Sequence, residues 1–541
     1  MESAISRTTA LAAAILLAAT IVDCAAGSGE KKVESSSTSA GAAPASVAPE
    51  KMPAIATVDE RYQSYNIEMA ELTGGQFWKP YDKFPAGWTP PSSAQGAEFY
   101  ARLKDKLDPI DLSRMRLRKL AAALGPAYVR SSGNIADGVY FHDSDEPVPA
   151  AAPNGFEVVL TRQQWKGLID FARAVNAQIV TSFGVSAGTR DANGRWTPDQ
   201  AGRLIAYTKS VGGDIAAAEF FNEPTLGPQG IGGLPPGYHA QDFARDFAIF
   251  LPFARSAAPG MLILGPGATG EGPITLLAGE VIKTSDLLSA MPRPNFDAFS
   301  YHAYGASSLR CKAPGKLTTT LEAALSEEWL SRTERTYEFY AGLRDRYQPG
   351  KPIWVTEAGE TSCGGDPWAK TFLDTFRYLD QLGRLAKHGV HTVMHNTLAV
   401  SEYALLDHDT LTPRPNYWAA LLWRRLMGTT VLDAGIPLRE GLHLYAQCLP
   451  GRAGGVTLLA INNSRSQPTA LNVSKAAERY TLTARKLEDA QVQLNGNDLA
   501  LGSNDTLPEL QGTRIAAGNV ALPPGSITFL AVAEAGNEKC R

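Results

Sequence analysis

Ile215-Ala216-Ala217-Ala218-Glu219-Phe220-Phe221-Asn222-Glu223-Pro224 reads as a short buried strand that ends on a carboxylate. An apolar run of this length, closed by a turn signal, suits a strand covered on both faces, as in a parallel sheet. Ile353-Trp354-Val355-Thr356-Glu357 has the same form later in the chain. An Asn-Glu-Pro at one strand end and a Trp-x-x-Glu at a later one suit a retaining glycosidase on a β/α barrel. One carboxyl group protonates the leaving oxygen and the other attacks the sugar. Glu223 is therefore read as the general acid/base and Glu357 as the nucleophile. Glu360, in Gly359-Glu360-Thr361-Ser362, is a rival for the second role, but the Trp-x-x-Glu spacing favours Glu357. Glu219 lies inside its strand run and is set aside as an acid/base.

Working outward, strand-like runs alternate with helical ones from residue 62 to about 418. Eight strands are expected: Tyr65–Met69, Ala127–Ser131, Ile179–Phe183, Ala216–Phe221, Met261–Leu264, Ala298–His302, Ile353–Glu357 and Thr392–His395. Amphipathic stretches such as Arg162–Val175 and Ala240–Ala257 separate them. Eight β-then-α units imply a closed (β/α)8 barrel, a TIM barrel, with its chemistry at the C-terminal strand ends. Glu223 and Glu357 then follow the fourth and seventh strands. After the helix expected at Tyr417–Met427 the pattern becomes short strands and turns, with Asn495-Gly496 as a tight hairpin. That part reads as an all-β sandwich domain. The expected organisation is a catalytic barrel over 54–424 and a sandwich over 425–541, with Ala54–Val58 lending a strand to the sandwich.

Residues 1–26 read as an export signal: Arg7, then the apolar stretch Thr8–Val22, then small residues at Ala25 and Ala26. Cys24 directly after the apolar stretch suggests a lipoprotein signal, although Asp23 sits where a small residue is expected. A lipid on Cys24 is the sole membrane attachment foreseen. Residues 27–53, rich in Ser, Ala, Gly and Pro, read as a flexible tether. The formal net charge of −4 excludes a nucleic-acid partner held by bulk charge. Cys311, Cys363, Cys448 and Cys540 remain after processing, and their spacing matches no zinc motif. They are paired as Cys311–Cys363 and Cys448–Cys540, one bridge per domain, as export allows. No metal and no cofactor is expected, and the chain is expected to act as a monomer.

Asn222-Glu223-Pro224, Trp354-Val355-Thr356-Glu357, Cys363-Gly364-Gly365 and Thr412-Pro413-Arg414-Pro415-Asn416-Tyr417-Trp418 together resemble glycoside hydrolase family 79, the heparanase and β-glucuronidase enzymes. The resemblance runs from about residue 55 to the C-terminus. It implies that Glu68, in the first strand, binds sugar hydroxyls, although the family often has Asp there. It implies a substrate contact from the loop Arg130-Ser131-Ser132-Gly133-Asn134, assigned to Asn134. Asn222 is placed to bond the sugar 2-hydroxyl. His302 and Tyr304 resemble a sixth-strand pair, with Tyr304 donating to the nucleophile. Tyr403 resembles a tyrosine that helps hold the uronic carboxylate. Animal heparanase has a long insert after the second strand that is removed on activation; Phe141–Phe156 is short here, so an uncut active chain is expected. The expected substrate is a uronic-acid glycan, extending to heparan-sulfate-type chains. A neutral-sugar barrel glycosidase (xylosidase or arabinofuranosidase) and a non-catalytic carbohydrate-binding surface protein are the alternatives.

Overall fold

The computed structural model describes residues 44–85, 87–90, 97–274, 280–312 and 317–541. The export signal with Cys24 and the tether up to residue 43 lie outside these residues. Eight parallel strands close into a barrel: β1 Gln63–Asn66, β2 Ala127–Ser131, β3 Ala177–Thr181, β4 Ile215–Glu219, β5 Leu262–Ala268, β6 Ala298–Ser307, β7 Ile353–Ser362 and β8 Thr392–His395. All eight expected strands are present, Ala127–Ser131 and Thr392–His395 with the expected bounds and the other six with shifted ends. β1 stops short of Met69 because a helix, Met69–Thr73, begins there and the Glu68 N–H is held by Glu71 Oε2 at 2.7 Å. β4 ends at Glu219, so Glu223 stands four residues beyond it. Glu357 lies inside β7, which pairs with β6 as far as Ser362.

The barrel interior changes character in one step. Tyr128, Val180, Ala217, Leu264, Trp354 and Met394 form an apolar plug. Side chains alternate along a strand, so the next inward positions lie two residues further toward the C-terminal ends. Arg130, Glu219, Ser300 and Thr356 stand there, all fully buried. A bulge then brings one more side chain inward. Tyr301 pairs with Val355 but His302 pairs with Glu357, so Thr356 is the extra residue of β7. An extra residue breaks the strict alternation. Thr356 and Glu357, although adjacent, both reach the polar layer.

Beyond the helix Pro415–Leu426 lies the β-sandwich. Its large sheet runs Ala54–Thr57, Thr430–Leu432, His443–Cys448, Val456–Asn462, Ser526–Val532, Ala477–Thr483 and on to the hairpin at Asn495-Gly496. Ala54–Thr57 pairs antiparallel with Thr430–Leu432, as foreseen for the segment before the barrel. The tether reading needs correction at its end. Ala45–Val47 pairs in parallel with Leu471–Val473 in a small three-stranded sheet, and Val47 and Met52 are buried in the sandwich core. A polar, small-residue segment can order when two apolar side chains dock on a surface that another segment supplies.

The large sheet is covered on both faces. Leu444, Leu458 and Leu530 face the small sheet, while Tyr445, Leu459 and Phe529 belong to the barrel's core cluster. The helix Phe372–Lys387 lies close against it: a Cβ on Gly383 would sit 2.5 Å from the Tyr445 ring. His443 Nδ1 and Tyr445 Oη each lie 2.5 Å from Asp380 Oδ1, and Arg384 Nε donates to Oδ2 at 2.6 Å. His443 Nε2 is 2.8 Å from Glu327 Oε1. Burial opposes the charged imidazole, yet Asp380 and Glu327 outweigh it and push His443 up to about 9. Burial likewise opposes the Asp380 charge, but His443 and Arg384 hold it down to about 2.

This junction has a pH signature. The folded-state value for His443 lies above its unfolded value of about 6.5, so its stabilisation is full below that pH and lost as pH rises through about 9. The loss amounts to up to about 3 kcal/mol. Thermal unfolding between pH 6.5 and 9.5 should show a decline that His443→Gln flattens. Equal declines in the two proteins would contradict it.

Both expected disulfides are formed. Cys311–Cys363 ties the loop after β6 to the loop after β7, and Cys448–Cys540 ties the large sheet to the C-terminal end. Two bridges fit folding in an oxidising compartment. Among the described residues no helix is long and apolar enough to cross a membrane.

Candidate active site

The polar layer opens at the C-terminal ends of the strands, and Arg130 is its hub. Its Nε and Nη2 reach Glu219 Oε2 at 3.2 and 2.9 Å. Nη1 donates to Glu357 Oε2 at 2.9 Å and Nη2 to Asn222 Oδ1 at 2.8 Å. Tyr304 Oη donates to the other oxygen of Glu357, Oε1, at 2.5 Å. Each oxygen of Glu357 thus has its own donor, which fixes the carboxylate plane. Burial first, and the Glu357 charge second, push the Tyr304 phenol well above its usual range, so it stays a donor.

Glu223 is positioned differently. Its backbone is left-handed, at φ 44° and ψ 59°, a conformation that costs a non-glycine residue roughly 1–3 kcal/mol. The turn is pinned on both sides. Asp137 Oδ1 accepts from the Asn222 N–H at 2.9 Å, and the Glu223 carbonyl accepts from the Leu226 N–H at 2.9 Å. His302 Nδ1 lies 2.9 Å from Glu223 Oε1 and 3.7 Å from Glu357 Oε2. One oxygen each of Glu223 and Glu357 and one His302 nitrogen lie within 4.8 Å of one another. Those atoms could hold a cation between them, but Arg130 and a charged His302 already supply positive charge there. Burial opposes that imidazolium, while Glu357, Glu219 and Glu223 raise it against Arg130, to about 10.

A sequence model of the N-terminal domain of glycosyl hydrolase family 79 matches residues 103–383. The chain belongs to glycosyl hydrolase family 79. It is 29% identical over 381 residues to heparanase-like protein 1 of Arabidopsis thaliana, covering 68% of this chain and 67% of that one. It is 25% identical over 440 residues to baicalin-β-D-glucuronidase of Scutellaria baicalensis, covering 74% and 79%. Among solved structures, a 4-O-α-L-rhamnosyl-β-D-glucuronidase from Fusarium oxysporum superposes with a TM-score of 0.60 at 13% identity, covering 90% of this chain and 99% of that one. That likeness shows the shared barrel-and-sandwich fold.

In this family 79 glycoside hydrolase, every substrate-contact candidate named from the sequence falls in or beside one cluster. Asn134 Oδ1 accepts from Asn222 Nδ2 at 2.8 Å at the exposed rim. Tyr304 and Tyr403 both receive a hydrogen bond from Asn396 Nδ2, at 3.0 and 3.3 Å. Glu68 lies against Gly133, where a Cβ would come within 1.8 Å of its Oε2. Gly133, at φ 94°, is required there for space as well as backbone shape. Burial, then the Glu357 charge, push the Glu68 carboxyl well above the usual range, which favours its protonated form.

Glu360 is not brought to the cluster. Its Oε2 accepts from the Asp366 N–H and the Thr361 hydroxyl, both at 2.9 Å, and its charges of concern are Asp366 and Asp374. Four residues of the cluster were given no role in it from the sequence: Arg130, quoted only as part of a loop, Glu219, set aside as an acid/base, Asp137 and Asn396. A signal existed for two of them. Arg130 and Glu219 sit two residues beyond the inward apolar positions Tyr128 and Ala217, and charged residues at that parity must pair inside the barrel. Asp137 lies in the short 3-10 helix Asn134–Gly138 and Asn396 in the bend after β8, and neither is long enough for periodicity to mark a side.

Proposed function

We propose that the protein is an exported retaining β-glucuronidase acting on uronic-acid glycosides, with heparan-sulfate-type chains among its substrates. The observation that carries this reading is the close facing of Glu223 and Glu357, whose nearest oxygens lie within 4.8 Å. Retaining enzymes hold the two carboxyl groups about 5–5.5 Å apart, whereas inverting ones leave about 6.5–9.5 Å for a water. Glu357 attacks the anomeric carbon while Glu223 gives its proton to the leaving oxygen. Glu223 then takes a proton from the water that releases the sugar. Arg130 and Tyr304 keep the attacking carboxylate in one plane. Asn222 meets the sugar 2-hydroxyl, and Glu68 and Asn134 meet other hydroxyls. Tyr403 takes part in holding the uronic carboxylate.

The relatives named heparanase-like protein and β-D-glucuronidase support a uronic acid as the sugar. The chain works uncut and as a monomer, either released or held by lipid on Cys24. The test is hydrolysis of an aryl β-D-glucuronide beside aryl β-xyloside and aryl α-arabinofuranoside, with product analysis on heparan sulfate oligomers. Glucuronide turnover at least about 100-fold above the neutral glycosides is expected, because a site built to bond a polar group of its substrate rejects an analogue without that group. The first-formed sugar should be the β-anomer by proton NMR. Preference for a neutral glycoside, or an α-anomer first, would replace this reading.

A further inference from the structure

Glu219 is a carboxylate that cannot meet a sugar. It is fully buried beneath the catalytic pair. Its Oε2 is covered by Arg130 Nε and Nη2, and its Oε1 accepts from Ser300 Oγ and Thr356 Oγ1, both at 2.7 Å. On its remaining side lies Gly267, where a Cβ would come within 3.0 Å of Oε1. Every approach is closed by a donor or by backbone. Four donors on two oxygens fit a carboxylate that stays ionised. The held charge agrees: burial opposes it, but Arg130, His302 and Thr356 keep it well below the usual range.

Two arms lead upward from this carboxylate. One runs through Arg130 to Glu357 Oε2 and Asn222 Oδ1. The other runs to His302, whose Nε2 lies 3.8 Å from Glu219 Oε2 and whose Nδ1 is on Glu223. We propose that Glu219 is a positioning residue that sets both members of the catalytic pair at once, Glu357 through Arg130 and Glu223 through His302. The proposal rests on the roles given above to Glu223 and Glu357.

The physical content is charge as well as shape. Without the Glu219 charge, more of the Arg130 charge falls on Glu357, which is then held more tightly and attacks less readily. His302 has two arrangements that differ by one proton. Charged, its Nε2–H faces Glu219; neutral, its Nε2 accepts from Arg130 Nη2 at 3.2 Å. The groups that face the ring are Glu219 from β4, Glu223 from the turn after it, Glu357 from β7 and Arg130 from β2. Glu357 raises the ring most, but Glu219 is the one among the three carboxylates that does not change its bonding during turnover, so its hold on the ring is the constant one.

Glu219→Gln keeps the shape and removes the charge. On the aryl β-glucuronide, kcat should fall about 100-fold with KM changed less than about threefold, because alignment rather than binding is lost. The kcat/KM bell should move to lower pH by about one unit, since one negative charge fewer makes the remaining acids easier to ionise. A readout free of activity is the imidazole of His302 in 15N-histidine-labelled protein, assigned with His302→Gln. It should stay protonated to beyond pH 8 in the native protein and titrate at lower pH in Glu219→Gln. Turnover within threefold of native, or a loss of turnover with neither the bell nor the His302 titration moved, overturns the proposal. If Glu219→Gln does not fold, Ser300→Ala/Thr356→Val removes two of the four donors and is expected to shift the same two readouts; unchanged readouts overturn it. If the native protein hydrolyses none of the glycosides, the functional reading fails, while the His302 titration still decides whether Glu219 controls the ring.

Discussion

Glu357→Gln should leave a folded protein whose turnover is lower by roughly 10⁴-fold or more. The amide keeps the volume and two polar ends for Arg130 and Tyr304, and Arg130 retains its bonds to Glu219. Stability should fall by about 1–3 kcal/mol, the cost of one charge-assisted bond made neutral. Chemistry should fall far more, because an amide cannot form the covalent sugar intermediate. Glu360→Gln is the contrast. Burial beside Asp366 and Asp374 pushes the Glu360 carboxyl well above the usual range and favours its uncharged form, which an amide of the same shape resembles. Its turnover should stay within a few-fold of native. Steady-state kinetics with an aryl β-glucuronide, beside a thermal melt of each variant, measure this. Loss of turnover in Glu360→Gln alone would reverse the assignment.

Glu223→Ala is the second large effect, and its size should depend on the leaving group. General acid catalysis contributes typically 10²–10⁴-fold. A sugar or alkyl leaving oxygen needs the proton, so those substrates should lose that full factor. A dinitrophenolate leaves unprotonated, so its release should fall much less, and breakdown of the glycosyl-enzyme should then limit the rate. Azide needs no general base, so it should restore turnover and give a glycosyl azide of β configuration. An equal loss for all leaving groups, with no azide rescue, would remove Glu223 from the acid/base role. The alanine also frees His302 Nδ1 from its 2.9 Å contact, so a modest change in melting temperature should accompany the kinetic loss.

The barrel was readable from the sequence because each of its eight strands is an apolar run between amphipathic helices. Strand ends were less readable. β4 stops at Glu219 because the chain leaves the barrel wall before the Asn222 turn, and no local propensity marks that point. β7 runs past Glu357 because its partner β6 runs equally far, a fact about pairing that neither strand carries alone. The pair Glu223 and Glu357 was legible through motif and order. Arg130 and Glu219 were not, because each looks like an isolated charge in a strand until the barrel closes and places them 2.9 Å apart. Ala45–Val47 was read as tether for a similar reason: its neighbour in the sheet, Leu471–Val473, lies at the far end of the chain.

That last pairing has a consequence for how the protein is made. The sandwich takes strands from both ends: Ala45–Val47 and Ala54–Thr57 from the start, the others from beyond residue 429. A ribosome adds about 5–20 residues per second, so the first strands wait roughly 20–80 seconds for partners to emerge. The large sheet, in turn, covers the helix Phe372–Lys387 of the barrel. The barrel is therefore not a unit that can be completed first and fitted with an accessory domain later. Its outer wall is finished by the last strand synthesised, Ser526–Val532, which lies in the middle of the sheet between Val456–Asn462 and Ala477–Thr483. A nascent chain stalled before that strand would expose the apolar side of the sheet and depend on a holding chaperone.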